Sequence, residues 1–209
     1  MPRFRHAAAL CAALALLPAA ASTADAQTAA EQARIDRILK ATPLIDGHND
    51  WPGALADHAG DARWTVDLNR LDPKDYDTDI ERLRAGRVGG QFWSVYVSAA
   101  LPELEQVRRT LEQIDLVKRI VARYPQHFTL VRTAAQVRAA HKAGRIASLM
   151  GAEGGGQIAE DLSILRAYHE LGVGYLTLTH FKSISWADSA TDDPRHGPDH
   201  GGLTPFGKT

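Results

Sequence analysis

The chain alternates short apolar runs with longer stretches in which apolar residues recur every three or four positions. The short runs are rich in aromatic and β-branched residues, which favours strands. They lie at residues 44–46, 92–97, 128–131, 146–151 and 173–179, of which 128–131 predicts only a minor strand. Because helical patterns separate the main strands, we expect parallel strands joined by helices.

Helical spacing is longest after Pro102, where the steps between apolar residues are 3, 4, 3, 3 and 4. These steps predict one buried helix face. Its members are Leu104, Val107, Leu111, Ile114, Val117 and Val121. Capping residues and terminating Gly or Pro predict shorter helices at 28–42, 78–85, 133–142 and 161–171. The acidic run from Asp67 to Asp79 is interpreted as a solvated loop and helix start.

This alternation predicts an α/β fold, either an open doubly wound sheet or a (β/α)8 barrel. A dinucleotide-binding fold is disfavoured because no Gly-rich phosphate fingerprint follows the first strand. In both remaining architectures, ligands bind at the carboxyl ends of the strands. Functional side chains are therefore expected directly after the apolar runs.

Residues 1–26 predict a secretory signal peptide that is not part of the fold. A basic start precedes an apolar run of 15 residues at 7–21, and Ala24-Asp25-Ala26 fits a small-x-small cleavage site. The run is shorter than the about 20 residues that span a bilayer, and an uncleaved anchor is the alternative. We expect an exported protein, periplasmic or secreted, whose mature domain covers residues 27–209 without a transmembrane span.

Composition and charge exclude several classes of protein. The chain has 24 Lys+Arg and 25 Asp+Glu, so no excess of positive charge is available for nucleic-acid phosphates, and we expect no nucleic-acid partner. A hydrophobic content of 44% argues against a disordered chain. The only cysteine, Cys11, lies in the predicted signal peptide, which excludes a disulfide scaffold.

Metal-ligand side chains follow three of the four main strands. His48 and Asp50 come after the first strand, Glu153 after the third and His180 after the fourth. Residues two apart in an extended segment share a face, so His48 and Asp50 are expected to project together. Imidazole and carboxylate groups suit Zn²⁺ or a similar divalent ion. The alternative is a set of polar strand ends facing solvent, because about one His-x-acid match is expected by chance in this composition.

Three motifs closely resemble the membrane (renal-type) dipeptidase family. They are residues 44–50 (LIDGHND), 151–154 (GAEG) and 176–180 (LTLTH), and 201–207 also looks like a stretch of the bacterial members. The resemblance implies an amidohydrolase-like (β/α)8 barrel that hydrolyses dipeptides with two zinc ions and a hydroxide held between them. It implies that His48 and Asp50 bind the first zinc, Glu153 bridges both ions and His180 contacts the substrate and stabilises the oxyanion.

The resemblance also implies that this sequence corresponds to the N-terminal part of such an enzyme. Family members take the ligands that complete the second zinc site from later strands, and a full barrel has about 250 residues. We therefore expect the first four βα units, an incomplete second zinc site and unpaired edges that favour aggregation. The 209-residue polypeptide alone is expected to be poorly soluble and inactive, and a homodimer is an expectation for the full-length enzyme only.

Two other functions remain open. One is a different metal-dependent amidohydrolase that cleaves amides or lactones on the same barrel, which substrate profiling would distinguish. The other is a non-catalytic exported binding protein whose strand-end side chains are merely polar termini. Metal analysis of protein made without added zinc would separate the last case from both hydrolases.

Overall fold

The computed structural model describes residues 28–192 and 199–209. The predicted signal peptide at 1–26, including Cys11, lies outside the described residues and stays a prediction, as does the mature boundary at residue 27. Among the described residues, no helix has both the length and the apolar character needed to cross a membrane.

Five strands form one parallel sheet, which confirms the predicted α/β class. They are β1 (Leu44–Asn49), β2 (Val88–Tyr96), β3 (Phe128–Leu130), β4 (Ile146–Glu153) and β5 (Val173–Thr177). The sheet runs β1-β2-β4, and β4 has two partners on its far side: β3 along its first half and β5 along its second. The four main strands are thus neighbours in chain order, as in the first units of a (β/α)8 barrel.

Seven α-helices are described around this sheet. They are α1 (Ala29–Ala41), α2 (Trp51–Ala59), α3 (Ile80–Ala85), α4 (Glu103–Arg123), α5 (Ala134–Lys142), α6 (Leu162–Leu171) and α7 (Pro205–Lys208). The predicted helix starts are capped: α1 and α5 begin with capping boxes from Thr28 and Thr133, and the Asp79 and Asp161 side chains cap α3 and α6. Short 3₁₀ helices occupy Gly60–Trp64 and Gly155–Ile158.

Several element boundaries differ from the sequence-based prediction. The sequence pattern did not predict α2, whose buried face is short, with Trp51, Pro52 and Leu55 as its buried residues. Strand β2 begins at Val88 rather than 92, where Gly89 and Gly90 lie against β1 and its lead-in. A Cβ on Gly90 would approach the Ile45 side chain to 2.6 Å, so the sheet needs glycine there.

The buried face of α4 is also rotated from the predicted one. Ile114 and Val117 are buried as expected, but Leu104 is 77% exposed and Leu111 is 42% exposed. Gln106 is buried in their place, because its amide donates to the Leu101 carbonyl and packs against a glycine of the 3₁₀ helix after β4. A polar residue with a satisfied amide thus occupies a position that apolar spacing does not predict.

The core lies between the sheet and the helices that cover it. The rings of Trp51 and Trp93 are 5.3 Å apart, and Phe128 packs against both at 6.4 and 5.9 Å. All three side chains are almost fully buried. Because Trp51 belongs to α2, Trp93 to β2 and Phe128 to β3, these ring contacts hold α2 against the two strands.

Candidate metal centre

The four residues singled out by the sequence lie at the carboxyl ends of three strands. His48 is the second-to-last residue of β1, and Asp50 is the residue before α2. Glu153 is the last residue of β4, and His180 follows β5 by three positions. The topology therefore brings all four to one edge of the sheet, where ligands bind in parallel α/β folds.

Three of these side chains come together closely. His48, Asp50 and Glu153 each offer one ligand atom, and these atoms all lie within 4.8 Å of one another. His48 Nε2 is 3.3 Å from Asp50 Oδ1 and 3.2 Å from Glu153 Oε2. Glu153 is the most enclosed of the set, with 16% of its side chain exposed, whereas 67% of the Asp50 side chain is exposed.

The reason given from the sequence for pairing His48 with Asp50 was wrong. β1 ends at Asn49, and Asp50 has φ −82° and ψ 12°, so it is not part of an extended segment. Alternation along a strand therefore does not explain the contact. The chain turns into α2 at Asp50, and this turn directs the carboxylate back toward His48.

Hydrogen bonds on either side of His48 hold this turn in place. The Asp46 carboxylate accepts the His48 backbone N–H at 3.2 Å and the Gln91 side-chain amide at 2.9 Å. The side-chain Oδ1 of Asn49 accepts the Trp51 backbone N–H at 2.9 Å. Asp46 and Asn49 thus have structural partners, which accounts for two polar residues of the motif that are not in the cluster.

Glu153 presents its two oxygens to different groups. Oε2 faces His48 Nε2 and lies 3.4 Å from the Ser94 hydroxyl, while Oε1 is 3.4 Å from His180 Nε2. The Gln157 amide donates to the Glu153 main-chain carbonyl at 2.7 Å and anchors the end of β4. A carboxylate with each oxygen directed at a separate group is suited to connect two binding positions.

His180 lies beside the cluster rather than inside it. Its ring makes an edge contact with Tyr96, with centroids 4.9 Å apart, and stacks at a tilt on Phe181 at 3.8 Å. One quarter of its side chain is exposed. The imidazole is therefore held between aromatic rings and Glu153, with part of its surface open to a ligand.

Sequence reasoning missed two residues that contact the cluster: Ser94 in β2, whose hydroxyl is 3.4 Å from Glu153 Oε2, and Tyr175 in β5. The Tyr175 hydroxyl is 3.3 Å from His48 Nδ1 and donates to the Gly47 carbonyl at 3.2 Å. Burial raises the pKa of Tyr175, and the negative charges of neighbouring carboxylates raise it further, so the phenol stays protonated. The feature that points to Tyr175 is its strand partner Gly151, and this pairing of β4 with β5 is known only from the structure.

The donor set fits a divalent cation. Within residues 28–192 and 199–209, the ion-pair partners of Asp50 and Glu153 are histidines, and neither carboxylate pairs with Lys or Arg. One imidazole nitrogen and two carboxylates thus direct lone pairs at a common region without a side-chain cation to neutralise them. Such a set of nitrogen and oxygen donors is what Zn²⁺ and similar ions bind in proteins.

Comparison with known proteins shows which family the chain resembles. The model of the family described as membrane dipeptidase (peptidase family M19) matches residues 32–209. Among curated relatives, dipeptidase ataJ of Aspergillus terreus is 44% identical over 181 residues, covering 82% of this chain and 44% of the relative. Dipeptidase verJ of Clonostachys rogersoniana is 38% identical over 178 residues, covering 80% and 45% respectively. The chain spans less than half the length of these relatives.

Solved structures agree with this match. The dipeptidase AC, a metallopeptidase of family M19, superposes with a TM-score of 0.65 at 26% identity and covers 79% of this chain, which in turn covers 51% of it. The probable dipeptidase PvdM of Pseudomonas aeruginosa has a TM-score of 0.67 at 19% identity, with coverages of 84% and 45%. Because PvdM is only 19% identical to this chain, its similarity supports the fold alone.

Proposed function

This chain belongs to the membrane dipeptidase family, peptidase family M19, and from that premise we propose that it contributes to a zinc-dependent dipeptidase. In this proposal His48 and Asp50 bind the first of two zinc ions, Glu153 binds both, and His180 contacts the substrate. The observation that carries the proposal is the convergence of three ligand atoms within 4.8 Å at the carboxyl ends of the strands. Because the chain spans less than half of its curated relatives, the activity is proposed for the protein that contains it.

Each side chain has a separate task in the proposed reaction. A divalent ion, when bound, polarises a carbonyl group and lowers the pKa of a water molecule toward neutrality, which provides the hydroxide for attack. His48, Asp50 and Glu153 would hold this cation. Glu153 Oε1 also orients the His180 imidazole at 3.4 Å.

His180 is proposed to act on the substrate rather than on the metal. An N–H of this imidazole donates a hydrogen bond to the peptide carbonyl oxygen as that oxygen becomes negative during attack. The Tyr96 and Phe181 rings restrict the imidazole to one orientation, so little entropy is lost when the substrate arrives. The choice of dipeptides over longer substrates rests on the names of the relatives and on the family.

The proposed activity is tested by hydrolysis of a defined substrate panel. Purified protein containing this chain is incubated with Zn²⁺ and Ala-Ala, Ala-Ala-Ala, a simple amide and a lactone, and the release of amino groups or acids is measured. The proposal expects cleavage of the dipeptide and its loss in His48→Ala and Glu153→Gln. Preference for the amide or lactone would favour the other amidohydrolase, and absence of bound metal would favour a binding protein.

The 209-residue polypeptide on its own provides a second test. We propose that it binds zinc weakly and does not hydrolyse dipeptides. The reason is that the second zinc site requires ligands beyond the four candidate residues, His48, Asp50, Glu153 and His180. Metal-dependent hydrolysis of Ala-Ala by the purified polypeptide would refute this part of the proposal.

We further propose that the protein is exported to the periplasm or secreted after cleavage behind Ala26. Support comes from the three-part pattern of residues 1–26. N-terminal sequencing of protein recovered from the periplasm or medium should begin at Gln27. A mature protein that retains residues 1–26 would contradict cleavage. A homodimer of the full-length enzyme is likewise a proposal, which light scattering of the purified protein would test.

A further inference from the structure

Tyr175 reaches across the sheet to the first strand. β5 and β1 are separated by β2 and β4, and neighbouring strands are about 4.8 Å apart, so a flat sheet would separate these strands by about 14 Å. The Tyr175 hydroxyl nevertheless contacts both Gly47 and His48 in β1. The sheet is therefore curled, and Tyr175 spans its concave side.

Gly151 makes this crossing possible. It is the β4 partner of Tyr175 in the strand register, and a Cβ at position 151 would lie 1.9 Å from Tyr175 Cζ. Any side chain other than hydrogen would occupy the space of the phenol ring. On its other side the ring packs against Phe92, with centroids 5.4 Å apart. The ring is thus confined to the one position from which its hydroxyl contacts His48.

The Tyr175 hydroxyl contacts the nitrogen of His48 that faces away from the cluster. The phenol has a single hydrogen, which it donates to the Gly47 carbonyl at 3.2 Å. Its oxygen can then accept a hydrogen from His48 Nδ1 at 3.3 Å. An imidazole whose Nε2 binds a cation carries its hydrogen on Nδ1, so this acceptor matches the metal-bound ring. Nε2 is the nitrogen that faces Asp50 and Glu153.

We propose that Tyr175 is a positioning residue for His48: its hydroxyl accepts the Nδ1 hydrogen of the metal-bound ring and fixes the orientation in which Nε2 can bind a cation, and Gly151 is glycine to admit it. The inference rests on the proposed function in one respect, namely that His48 is a metal ligand. The outer hydrogen bond of a ligating histidine typically contributes 10- to 100-fold to metal affinity. Removing the Tyr175 hydroxyl should therefore weaken binding without removing a ligand.

The hydrogen bond at Nδ1 is measured first, in protein saturated with Zn²⁺. Exchange of the His48 Nδ1–H with water is followed by NMR in ¹⁵N-histidine-labelled chain, and the His48 signal is identified by its absence in His48→Ala. We expect slow exchange in the unmodified chain and faster exchange in Tyr175→Phe, because the hydroxyl that accepts this hydrogen is lost. The same exchange rate in both proteins would overturn the proposal.

Tyr124→Phe is the matched control for loss of a phenol hydroxyl. The Tyr124 hydroxyl accepts the Leu68 N–H and contacts Asp67 at the opposite end of the strands. This variant loses comparable hydrogen bonds, so it reports any general effect of removing such a group. We expect it to leave the exchange rate of the His48 Nδ1–H unchanged, and a change equal to that in Tyr175→Phe would overturn the specific role.

Zinc affinity is measured next, by competition with a chromophoric chelator. We expect at least about 10-fold weaker binding in Tyr175→Phe and less than a twofold change in Tyr124→Phe. Gly151→Ala should resemble Tyr175→Phe in zinc affinity, because the added methyl group displaces the ring. Unchanged affinity in Tyr175→Phe, with binding still lost in His48→Ala, would overturn this inference and leave the proposed function intact. Equal zinc binding by His48→Ala and the unmodified chain would instead refute the metal site on which the inference rests.

Discussion

Asp79 at the start of α3 and Glu153 at the end of β4 are both poorly exposed carboxylates, but their partners differ. The Asp79 side chain is 3% exposed, and every strong contact that it makes is with a donor. It accepts the backbone N–H groups of Leu71 at 3.1 Å and Arg82 at 2.7 Å, together with Arg82 Nε at 3.0 Å. Its charge is thus compensated within the fold.

Glu153 has no comparable compensation among the described residues. Its contacts are two imidazole rings, of His48 and His180, and a distant hydroxyl of Ser94. A second carboxylate, Asp50, is directed at the same imidazole nitrogen. The comparison shows how the two kinds of carboxylate differ. A structural carboxylate such as Asp79 is surrounded by hydrogen-bond donors. Candidate metal ligands such as Glu153 and Asp50 converge on one region without enough donors to compensate their charge.

The pKa of Asp79 follows from these contacts. Burial by itself would raise it, but the hydrogen bonds from the Arg82 side chain and from the Arg82 and Leu71 N–H groups outweigh burial and hold the pKa of Asp79 below its usual value. Asp79 is therefore charged at neutral pH and stabilises the fold. The acidic run was interpreted as a solvated loop and helix start: Asp79 does start α3, but it is buried rather than solvated.

The largest expected effect is the loss of zinc affinity in His48→Ala, which tests the contrast between Glu153 and Asp79. This change should weaken zinc binding by more than about 1000-fold, about 4 kcal/mol, because it removes the only imidazole in the three-residue cluster. The free energy of unfolding without metal should change by less than about 0.5 kcal/mol, since the side chain is 39% exposed. Competition titration and urea unfolding measure the two quantities.

The exposed His169 on α6 supplies the control for that prediction. His169→Ala removes an imidazole that is 69% exposed and lies outside the cluster, so zinc affinity should not change. A loss of folding stability in His48→Ala with zinc affinity intact would break the comparison, because His48 would then be a structural residue like Asp79.

Substitution of Asp79 is expected to lower folding stability and to leave zinc affinity unchanged. Asp79→Ala should lower the free energy of unfolding by about 3 kcal/mol, because it removes a helix cap and leaves the Arg82 guanidinium without its partner. Zinc affinity should stay the same. Urea unfolding is compared with Glu81→Ala, an exposed acid in the first turn of the same helix, which should have little effect. A stability change no larger than that of Glu81→Ala would show that Asp79 is not the structural anchor.

A smaller effect is expected in the pH dependence of stability. The pKa of Asp79 is lower in the folded chain than the usual value of about 3.9 in the unfolded chain, so its contribution is fully present above about pH 5. That contribution is lost as the pH falls through the folded pKa. The difference in unfolding free energy between the unmodified chain and Asp79→Asn should therefore shrink below about pH 4. A difference that is constant with pH would contradict the charged state assigned to Asp79.

Local signals in the sequence predicted more of the fold than of the site's geometry. The capping boxes at Thr28 and Thr133 and the Gly172 stop involve residues within one helical turn, so sequence alone reveals them. The strand-end position of Glu153 was also predictable, because apolar runs mark strand ends. That His48 lies beside Asp50 was expected for the wrong reason, since the turn into α2 was not foreseen.

What the sequence did not predict depends on distant parts of the chain. Tyr175 contacts His48 only because β5 pairs with β4 opposite Gly151 and the sheet curls. Leu104 and Leu111 have helical spacing with the buried residues of α4, but the packing of the helix leaves them exposed. Register, curvature and the rotation of a helix about its axis are properties of the assembled fold, and apolar spacing does not encode them.

The claim that His48, Asp50 and Glu153 form a cation site is tested most directly by zinc K-edge absorption spectroscopy of the chain loaded with one equivalent of zinc. The account predicts that the bound zinc has an imidazole nitrogen at about 2.0 Å and carboxylate oxygens at about 2.0–2.2 Å, and that the imidazole signal is lost in His48→Ala. A first coordination shell without an imidazole nitrogen, or an identical shell in His48→Ala, would contradict it.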